Sequence, residues 1–127
     1  KAAVAAAALA HGLVPAHNVT IEIDRPEQAA ADASRARREL GFLRMWSIHP
    51  TQIDPLLAAF APKAGEVGLA AEVLLAAQRA DWAPIRHAEA LHDRASYRYH
   101  WHVLRRARAS GSALSAEIVG AFFSPVG

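Results

Sequence analysis

The hydrophobic positions in the first part of the chain switch between helical and extended spacing. Residues 1–10 are almost all alanine, a strong helix former, so they predict a helix. Residues 18–23 alternate polar and β-branched side chains and therefore predict a strand. A second helix is predicted to begin after Asp24, which can cap it, and to end at Gly41. Residues 43–48 form a short apolar run with the length of a buried parallel strand.

The following positions predict helices without further strands. Thr51 is expected to cap a short helix over residues 52–60. Apolar side chains at helical spacing predict a longer helix over residues 65–80. Residues 81–92 have no clear period, so we expect them to be irregular. The second half of the chain is thus predicted to be helical around one irregular segment.

A last strong helix is predicted over residues 94–109, followed by a weaker helical or extended tail that contains Pro125. Three large apolar residues of this helix share one packing face: Tyr97, Trp101 and Leu104. We expect that face to lie in a core or a subunit interface. Two alternatives stay open for this helix. Arg94 or Arg98 could contact the phosphate groups of CoA, and the interleaved aromatic and cationic side chains could bind nucleic acid.

The order of the predicted elements has a consequence for the fold class. Strands separated by a helix make a right-handed βαβ unit of a parallel sheet. Two strands cannot form a stable parallel sheet alone, so the simpler interpretation is the end of a larger α/β sheet or barrel. The chain also begins without methionine inside an alanine-rich pattern, and we interpret Lys1 as an arbitrary start.

Composition narrows the class of protein further. The chain has 127 residues, of which 53% are hydrophobic and 20% are charged, as in globular domains. Its net charge is only +2 and its cations are interleaved with acids, which argues against a nucleic-acid partner. No cysteine is present, which excludes disulfides and thiol-bound metals and fits a cytoplasmic location. No apolar run reaches the roughly 18–20 residues of a membrane span, so no membrane partner is expected.

One stretch of the chain resembles a family motif. Residues 41–53 read Gly-Phe-Leu-Arg-Met-Trp-Ser-Ile-His-Pro-Thr-Gln-Ile. They resemble the pattern G-F-x-G-K-x-x-I-H-P-x-Q-I of the citrate lyase β-subunit family, the CoA-ester lyases related to the HpcH/HpaI hydroxy-acid aldolases. Residues 60–67 are similar to the F-x-P-x-x-x-E-V segment that follows in the family. Upstream, residues 5–23 and Asp24 resemble the family's penultimate helix, its strand and the acidic strand exit, and Asp93 resembles the aspartate that opens its C-terminal lid.

The resemblance implies a fold and an activity. The fold would be α/β: the C-terminal part of a TIM (βα)₈ barrel, with its last two βα units in residues 1–62. Residues 63–127 would form a helical C-terminal extension that serves as lid and oligomer contact. The activity would be a Mg²⁺-dependent carbon–carbon lyase or aldolase reaction on a hydroxyacyl-CoA ester or related hydroxy acid, in a homotrimer or hexamer. The family's metal carboxylates lie on earlier strands, so no metal ligand is expected in this chain.

The same resemblance indicates candidate site residues. Active sites of (βα)₈ barrels lie at the carboxyl ends of the strands. This rule makes His49, and more weakly Ile48, Pro50 and Gln52, candidates for binding substrate or CoA. The structural alternative is that His49 shapes the strand exit through backbone bonds, and that Gln52 faces solvent at a helix start. Asp93 is the catalytic candidate, as the acid or base that the lid brings to a neighbouring subunit, and by sequence alone it is equally a helix cap.

Two departures from the family pattern indicate a divergent branch. Arg44 and Met45 stand where the family has Gly-Lys, and Ala95 stands where it has the proline after the lid aspartate. Two other classes of protein remain open. A non-catalytic relative would keep the barrel without its carboxylates. A stand-alone helical interaction module would need a complete core within these residues.

Overall fold

The computed structural model describes residues 1–124, and Pro125 lies outside the described residues. The chain forms two compact units, Lys1–Ala61 and Pro62–Gly127. Each unit is mostly helical and contains one two-stranded sheet. No helix within residues 1–124 is long and apolar enough to cross a membrane. The architecture is therefore mixed α/β, with the strands in the minority.

The first unit contains a parallel βαβ arrangement. Strands β1 (Ala16–His17) and β2 (Arg44–Met45) lie on either side of helix α2 (Pro26–Leu40) in the sequence. They pair in parallel, with Ala16 opposite Arg44 and His17 opposite Met45. Helix α2 ends as predicted, because Gly41 adopts the left-handed conformation (φ 75°) that glycine favours after a helix. The elements of the unit are α1 (Ala2–Ala10), β1 (Ala16–His17), α2 (Pro26–Leu40), β2 (Arg44–Met45), a 3₁₀ turn (Pro50–Gln52) and α3 (Ile53–Phe60).

The strand bounds differ from the prediction. The strand expected over residues 18–23 lies instead at Ala16–His17, and the strand expected over residues 43–48 shrinks to two residues. The second strand is parallel as predicted, but its flank is not buried, since Trp46 is 67% exposed. A strand needs a hydrogen-bonding neighbour along its length, and within residues 1–124 each of these strands has one partner over two residues.

Two predicted helix caps are wrong. Helix α2 is capped at Arg25, without a side-chain bond, and Asp24 lies exposed in the preceding turn. Thr51 does not cap a helix either. The side chain of His49 accepts a hydrogen bond from the Thr51 backbone N–H and begins the 3₁₀ turn, while the Thr51 hydroxyl donates to the Ile23 carbonyl at 3.1 Å. A proline follows His49 and fixes the chain direction, which moves the cap two residues upstream.

The core of the first unit consists mainly of small side chains. Ala29 and Ala33 on α2 pack against Leu56 and Ala59 on α3, and all four are buried. A second cluster joins α1, the end of α2 and the following loop: Ala5, Ala36 and Phe42. Alanine permits close approach of helices but buries little apolar area, so this core has limited stabilising power.

The second unit has a core of larger side chains. Val73 and Leu74 on α4 (Ala64–Arg79) pack against Tyr97 and Leu104 on α5 (Arg94–Ala109). Ile118 on α6 (Ala116–Phe122) completes the cluster. The predicted packing face of α5 is confirmed, because Tyr97 and Leu104 are buried and Trp101 packs against the same cluster. The elements of the unit are α4 (Ala64–Arg79), β3 (Ile85–His87), β4 (Ala90–His92), α5 (Arg94–Ala109) and α6 (Ala116–Phe122).

Residues 81–92 were predicted to be irregular, but they contain an antiparallel hairpin. Ile85 pairs with His92, and the two strands are joined by Ala88 and Glu89. Both turn residues have positive φ (47° and 62°), the geometry of the tight turn that best matches the twist of a hairpin. Such turns favour Asn-Gly or Asp-Gly, so an Ala-Glu turn gave no sequence signal.

Candidate functional site

The predicted strand-exit residues lie in the first unit, directly after β2. His49 is extended, and its Nδ1 lies 2.9 Å from the Thr51 hydroxyl and 3.3 Å from the Thr51 backbone nitrogen, from which it accepts a hydrogen bond. A neutral imidazole that accepts through Nδ1 carries its proton on Nε2. No hydrogen bond within residues 1–124 uses that Nε2. His49 therefore shapes the strand exit through Nδ1 and keeps one donor for a ligand.

The alternative that Gln52 faces solvent is wrong, because its side chain is almost completely buried (1% exposed). Its Nε2 donates to the Thr20 carbonyl at 2.8 Å, and its Oε1 accepts from the Ile48 backbone N–H at 3.2 Å. The Ser47 hydroxyl approaches the same oxygen at 3.4 Å. These bonds join the segment after β1 to the segment after β2, so Gln52 holds the two strand exits side by side.

Ile48 and Pro50 are exposed at the same strand exit. Ile48 is 56% exposed, and its backbone is held by Gln52. Pro50 is the first residue of the 3₁₀ turn, where its lack of an N–H leaves no bond unmade. The four predicted strand-exit residues thus lie on one short segment, with two exposed apolar side chains beside the free edge of an imidazole.

Asp93 lies in the second unit and caps α5, as predicted. Its Oδ1 accepts hydrogen bonds from the backbone N–H groups of Ala95 (3.0 Å) and Ser96 (3.2 Å). The Ser96 hydroxyl accepts from the Asp93 N–H at 2.9 Å, which completes a reciprocal cap. The second carboxylate oxygen, Oδ2, has no hydrogen-bond partner among residues 1–124. Capping therefore uses one oxygen of Asp93 and leaves the other open to solvent.

Sequence reasoning missed a pair of buried histidines in the second unit. His92 on β4 and His100 on α5 are both buried, with ring centroids 5.3 Å apart. The Nε2 of His92 donates a hydrogen bond to the His87 carbonyl at 3.2 Å. The Nδ1 atoms of both buried rings have no partner among residues 1–124. Burial lowers the pKa of His100 from its ordinary value, and the neighbouring His92 lowers it further. The burial was predictable, since His100 lies three residues after Tyr97 on the apolar face of α5.

The histidine pair does not amount to a metal site. His87 contacts Glu72, with its Nε2 3.0 Å from the carboxylate, and its ring centroid is 6.4 Å from that of His92. Within residues 1–124, no group of three His, Asp or Glu side chains is arranged to hold a metal ion. That the family's metal ligands lie outside this chain stays a prediction.

Solved structures of two lyases resemble this chain. The first is a citrate lyase from Burkholderia xenovorans LB400, with 53% sequence identity and a TM-score of 0.74 over 94% of this chain. The second is the protein CitE from Mycobacterium tuberculosis, with 27% identity and a TM-score of 0.67 over 81% of this chain. The latter was solved in complex with magnesium, acetoacetate and coenzyme A. The chain matches no protein-family model and no curated protein.

These likenesses show that the chain has a mixed α/β fold similar to part of a citrate lyase structure. The resemblance to the citrate lyase β-subunit family of CoA-ester lyases, predicted from the motif at residues 41–53, is confirmed. The chain spans 37% of the length of the first relative and 38% of the second. It therefore corresponds to only part of such an enzyme.

Proposed function

We propose that this chain is the C-terminal part of a (βα)₈-barrel carbon–carbon lyase that acts on a hydroxyacyl-CoA ester or a related hydroxy acid. The observation that carries this proposal is the 53% identity to a citrate lyase across 94% of the chain. Residues 1–62 would supply the last two βα units of the barrel, and residues 63–127 its lid and oligomer contact. The parallel pairing of β1 and β2 around α2 is the unit that such a barrel repeats.

The exposed apolar side chains of the first unit support a larger sheet. Ile21, Trp46 and Ile48 are 74%, 67% and 56% exposed, and all three lie beside or after the two short strands. Large exposed apolar side chains gathered near two short strands support a missing partner surface. In a closed barrel every strand has a neighbour on both sides, which would bury these side chains and lengthen the strands.

Magnesium would be held by residues outside this chain. The described residues do not provide a set of three suitable ligands, so they do not fit a complete Mg²⁺ site. The complex of CitE with magnesium, acetoacetate and coenzyme A supports this cofactor and an acyl-CoA or hydroxy-acid substrate. We further propose a cytoplasmic homotrimer or hexamer, in which residues 63–127 of one subunit close over the barrel of another.

The strand-exit residues would bind the substrate or CoA. His49 can donate from Nε2 to a carbonyl or phosphate oxygen, because its Nδ1 already accepts from Thr51. Ile48 and Pro50 would provide an apolar contact for the acyl chain or the thioester arm. Gln52 would act by holding this segment, since most of its hydrogen-bonding capacity is used inside the protein.

Asp93 would be the catalytic acid or base. Its Oδ1 is fixed by the cap, which orients the carboxylate, and its Oδ2 is free to take or give a proton. Closure of a lid over this carboxylate would exclude water and bring it to the substrate, which favours direct proton transfer. The capping and catalytic roles are therefore compatible in one residue.

The test is a cleavage assay on the full-length protein with a panel of hydroxyacyl-CoA thioesters, with Mg²⁺ and with a chelator. We expect one thioester to be cleaved at its carbon–carbon bond, with activity lost on chelation and restored by Mg²⁺. Absence of cleavage across the panel, in a protein that still binds CoA, would instead favour the non-catalytic relative.

A further inference from the structure

A pocket in the second unit is used by none of the proposed chemistry. It lies beside α5 and has a volume of about 680 Å³, within the range of small-molecule sites. Four aromatic side chains line it: Trp82, Tyr97, Trp101 and Phe122. Two arginines line it as well, Arg94 and Arg98, and no acidic residue does. The pocket therefore combines flat apolar surfaces with positive charge.

The fold holds Trp82 at this pocket in an unfavourable backbone conformation. Trp82 has a φ of 60°, which is rare for a bulky side chain. Its backbone N–H donates to the Ala77 carbonyl at 2.7 Å. Its ring contacts the Tyr97 ring edge to face, with centroids 6.0 Å apart. The indole nevertheless remains 47% exposed. Strained residues cluster at ligand sites, and the strained Trp82 is one of the residues that line this pocket.

The charge at the pocket is uncompensated. Arg94 and Arg98 lie one turn apart on α5, and neither makes a hydrogen bond or ion pair with any of residues 1–124. Other arginines of the chain do have carboxylate partners, for example Arg79 with Glu117 and Arg86 with Glu89. Guanidinium groups in this arrangement bind carboxylate or phosphate oxygens through paired hydrogen bonds.

We propose that this pocket binds a flat aromatic anion. The aromatic ring of the ligand would stack against Trp82 and Trp101, since offset and edge-to-face contacts between rings are favourable. Its carboxylate or phosphate would accept hydrogen bonds from Arg94 and Arg98. A nucleotide and an aromatic carboxylate share this chemistry, so the experiment uses one of each.

The chain offers a direct optical readout. It has three tryptophans, and the Trp46→Phe variant would leave only Trp82 and Trp101, both at the pocket. This variant is titrated with adenosine monophosphate, with phenylacetate, and with cyclohexylacetate, which has the charge but lacks the aromatic ring. We expect saturable quenching by at least one of the first two, and binding of cyclohexylacetate weaker than that of phenylacetate. Which of the two ligands binds distinguishes a nucleotide from a carboxylate source.

Charge variants in the same background test the role of the arginines. Arg94→Gln with Arg98→Gln is expected to weaken binding by at least about tenfold, because two charge-assisted hydrogen bonds are lost. Arg105→Gln is the matched control, since it removes the same type of charge from an exposed position of α5 away from the pocket. Arg94→Lys with Arg98→Lys keeps the charge and should bind with intermediate affinity, even if the glutamine pair disturbs the fold. Either of two results would overturn the proposal. The first is that neither aromatic anion quenches the fluorescence saturably. The second is that the glutamine pair and the lysine pair both bind the anion as tightly as the protein with both arginines.

Discussion

The two units of the chain differ in how they bury apolar surface. In the first, α2 contributes only alanines to the core: Ala29, Ala33 and Ala36. In the second, Leu74 and Leu104 are fully enclosed in a cluster with aromatic and branched side chains. Of the large hydrophobic residues exposed within residues 1–124, ten lie in the first unit and five in the second.

This contrast agrees with the proposal that the first unit belongs to a larger sheet. The second unit has a hairpin, three helices and a core of its own, so its fold is largely self-supporting. The first unit has two strands of two residues each and an exposed apolar flank. A part of a larger sheet has these properties, because neighbouring strands supply both the hydrogen bonds and the cover.

The largest expected effect links the second unit to catalysis. In the full-length protein, Asp93→Asn should lower turnover of the CoA thioester by about 10²–10⁴-fold, because the proton-transfer group is lost. The melting temperature should remain nearly unchanged, since asparagine caps helices as well as aspartate does. Asp54→Asn, at an exposed position in the first turn of α3, is the control. Wild-type turnover in the Asp93 variant would leave this residue only its cap.

The second prediction compares a core leucine of the second unit with an exposed leucine of the first. Leu104→Ala should lower the free energy of unfolding by about 2–5 kcal/mol, because it leaves a cavity in the second unit. Leu57→Ala in the first unit should change it by only about 0.5 kcal/mol, since that side chain is 65% exposed. Urea unfolding of both variants measures the difference. Equal losses would mean that Leu57 is packed as completely as Leu104, against its exposure in the structure.

A third prediction concerns pH. The folded state lowers the pKa of His100 below the ordinary value of 6.5, so the unfolded chain binds the proton more readily. The free energy of unfolding of the second unit should therefore be fully retained above about pH 6.5 and should fall as the pH drops below it. His92 on β4 lies beside this ring, His87 on β3 lies beside His92, and Glu72 on α4 contacts His87.

Two variants separate this effect from general acid sensitivity. His100→Gln should flatten the fall in stability between neutral and acidic pH, whatever its absolute stability. His102→Gln, at an exposed position of the same helix, should leave the fall as it is. Identical pH profiles for both variants, measured by urea unfolding at several pH values, would show that the buried ring is not responsible.

The smallest effect is expected at a surface ion pair of the first unit. Arg35 and Glu39 lie 3.2 Å apart on α2, with side chains 69% and 62% exposed. Glu39→Gln should lower the free energy of unfolding by less than about 0.5 kcal/mol, because solvent screens such pairs. A loss as large as that of a core variant would mean that α2 depends on its surface charges rather than on its alanine face.

The sequence predicted some of the features that depend on local signals, although its caps at Asp24 and Thr51 were wrong. Gly41 and Asp93 were correctly placed at a helix end and a helix start, because their conformational and capping preferences act within one turn. The face of α5 followed from its spacing. The short strands were misplaced because their bounds depend on the partner strand, and the partner lies about 30 residues away in the chain.

The site was predictable only in part for the same reason. Gln52 was a candidate ligand-binding residue with solvent exposure as the alternative, and neither anticipated its bond to the Thr20 carbonyl, which joins residues far apart in the chain. The hairpin was missed because its turn residues, Ala88 and Glu89, seldom adopt positive φ. The pairing of His92 with His100 depends on where that hairpin packs.

Amide hydrogen exchange on the 127-residue chain and on the full-length protein tests the central claim most directly, namely that the first unit is part of a larger barrel. In the isolated chain, the amides of α5 should be protected and those of residues 43–48 should exchange rapidly, because local stability follows burial and hydrogen bonding. In the full-length protein, both sets should be strongly protected. Rapid exchange of residues 43–48 in the full-length protein would show that no neighbouring strand covers them and would contradict the account.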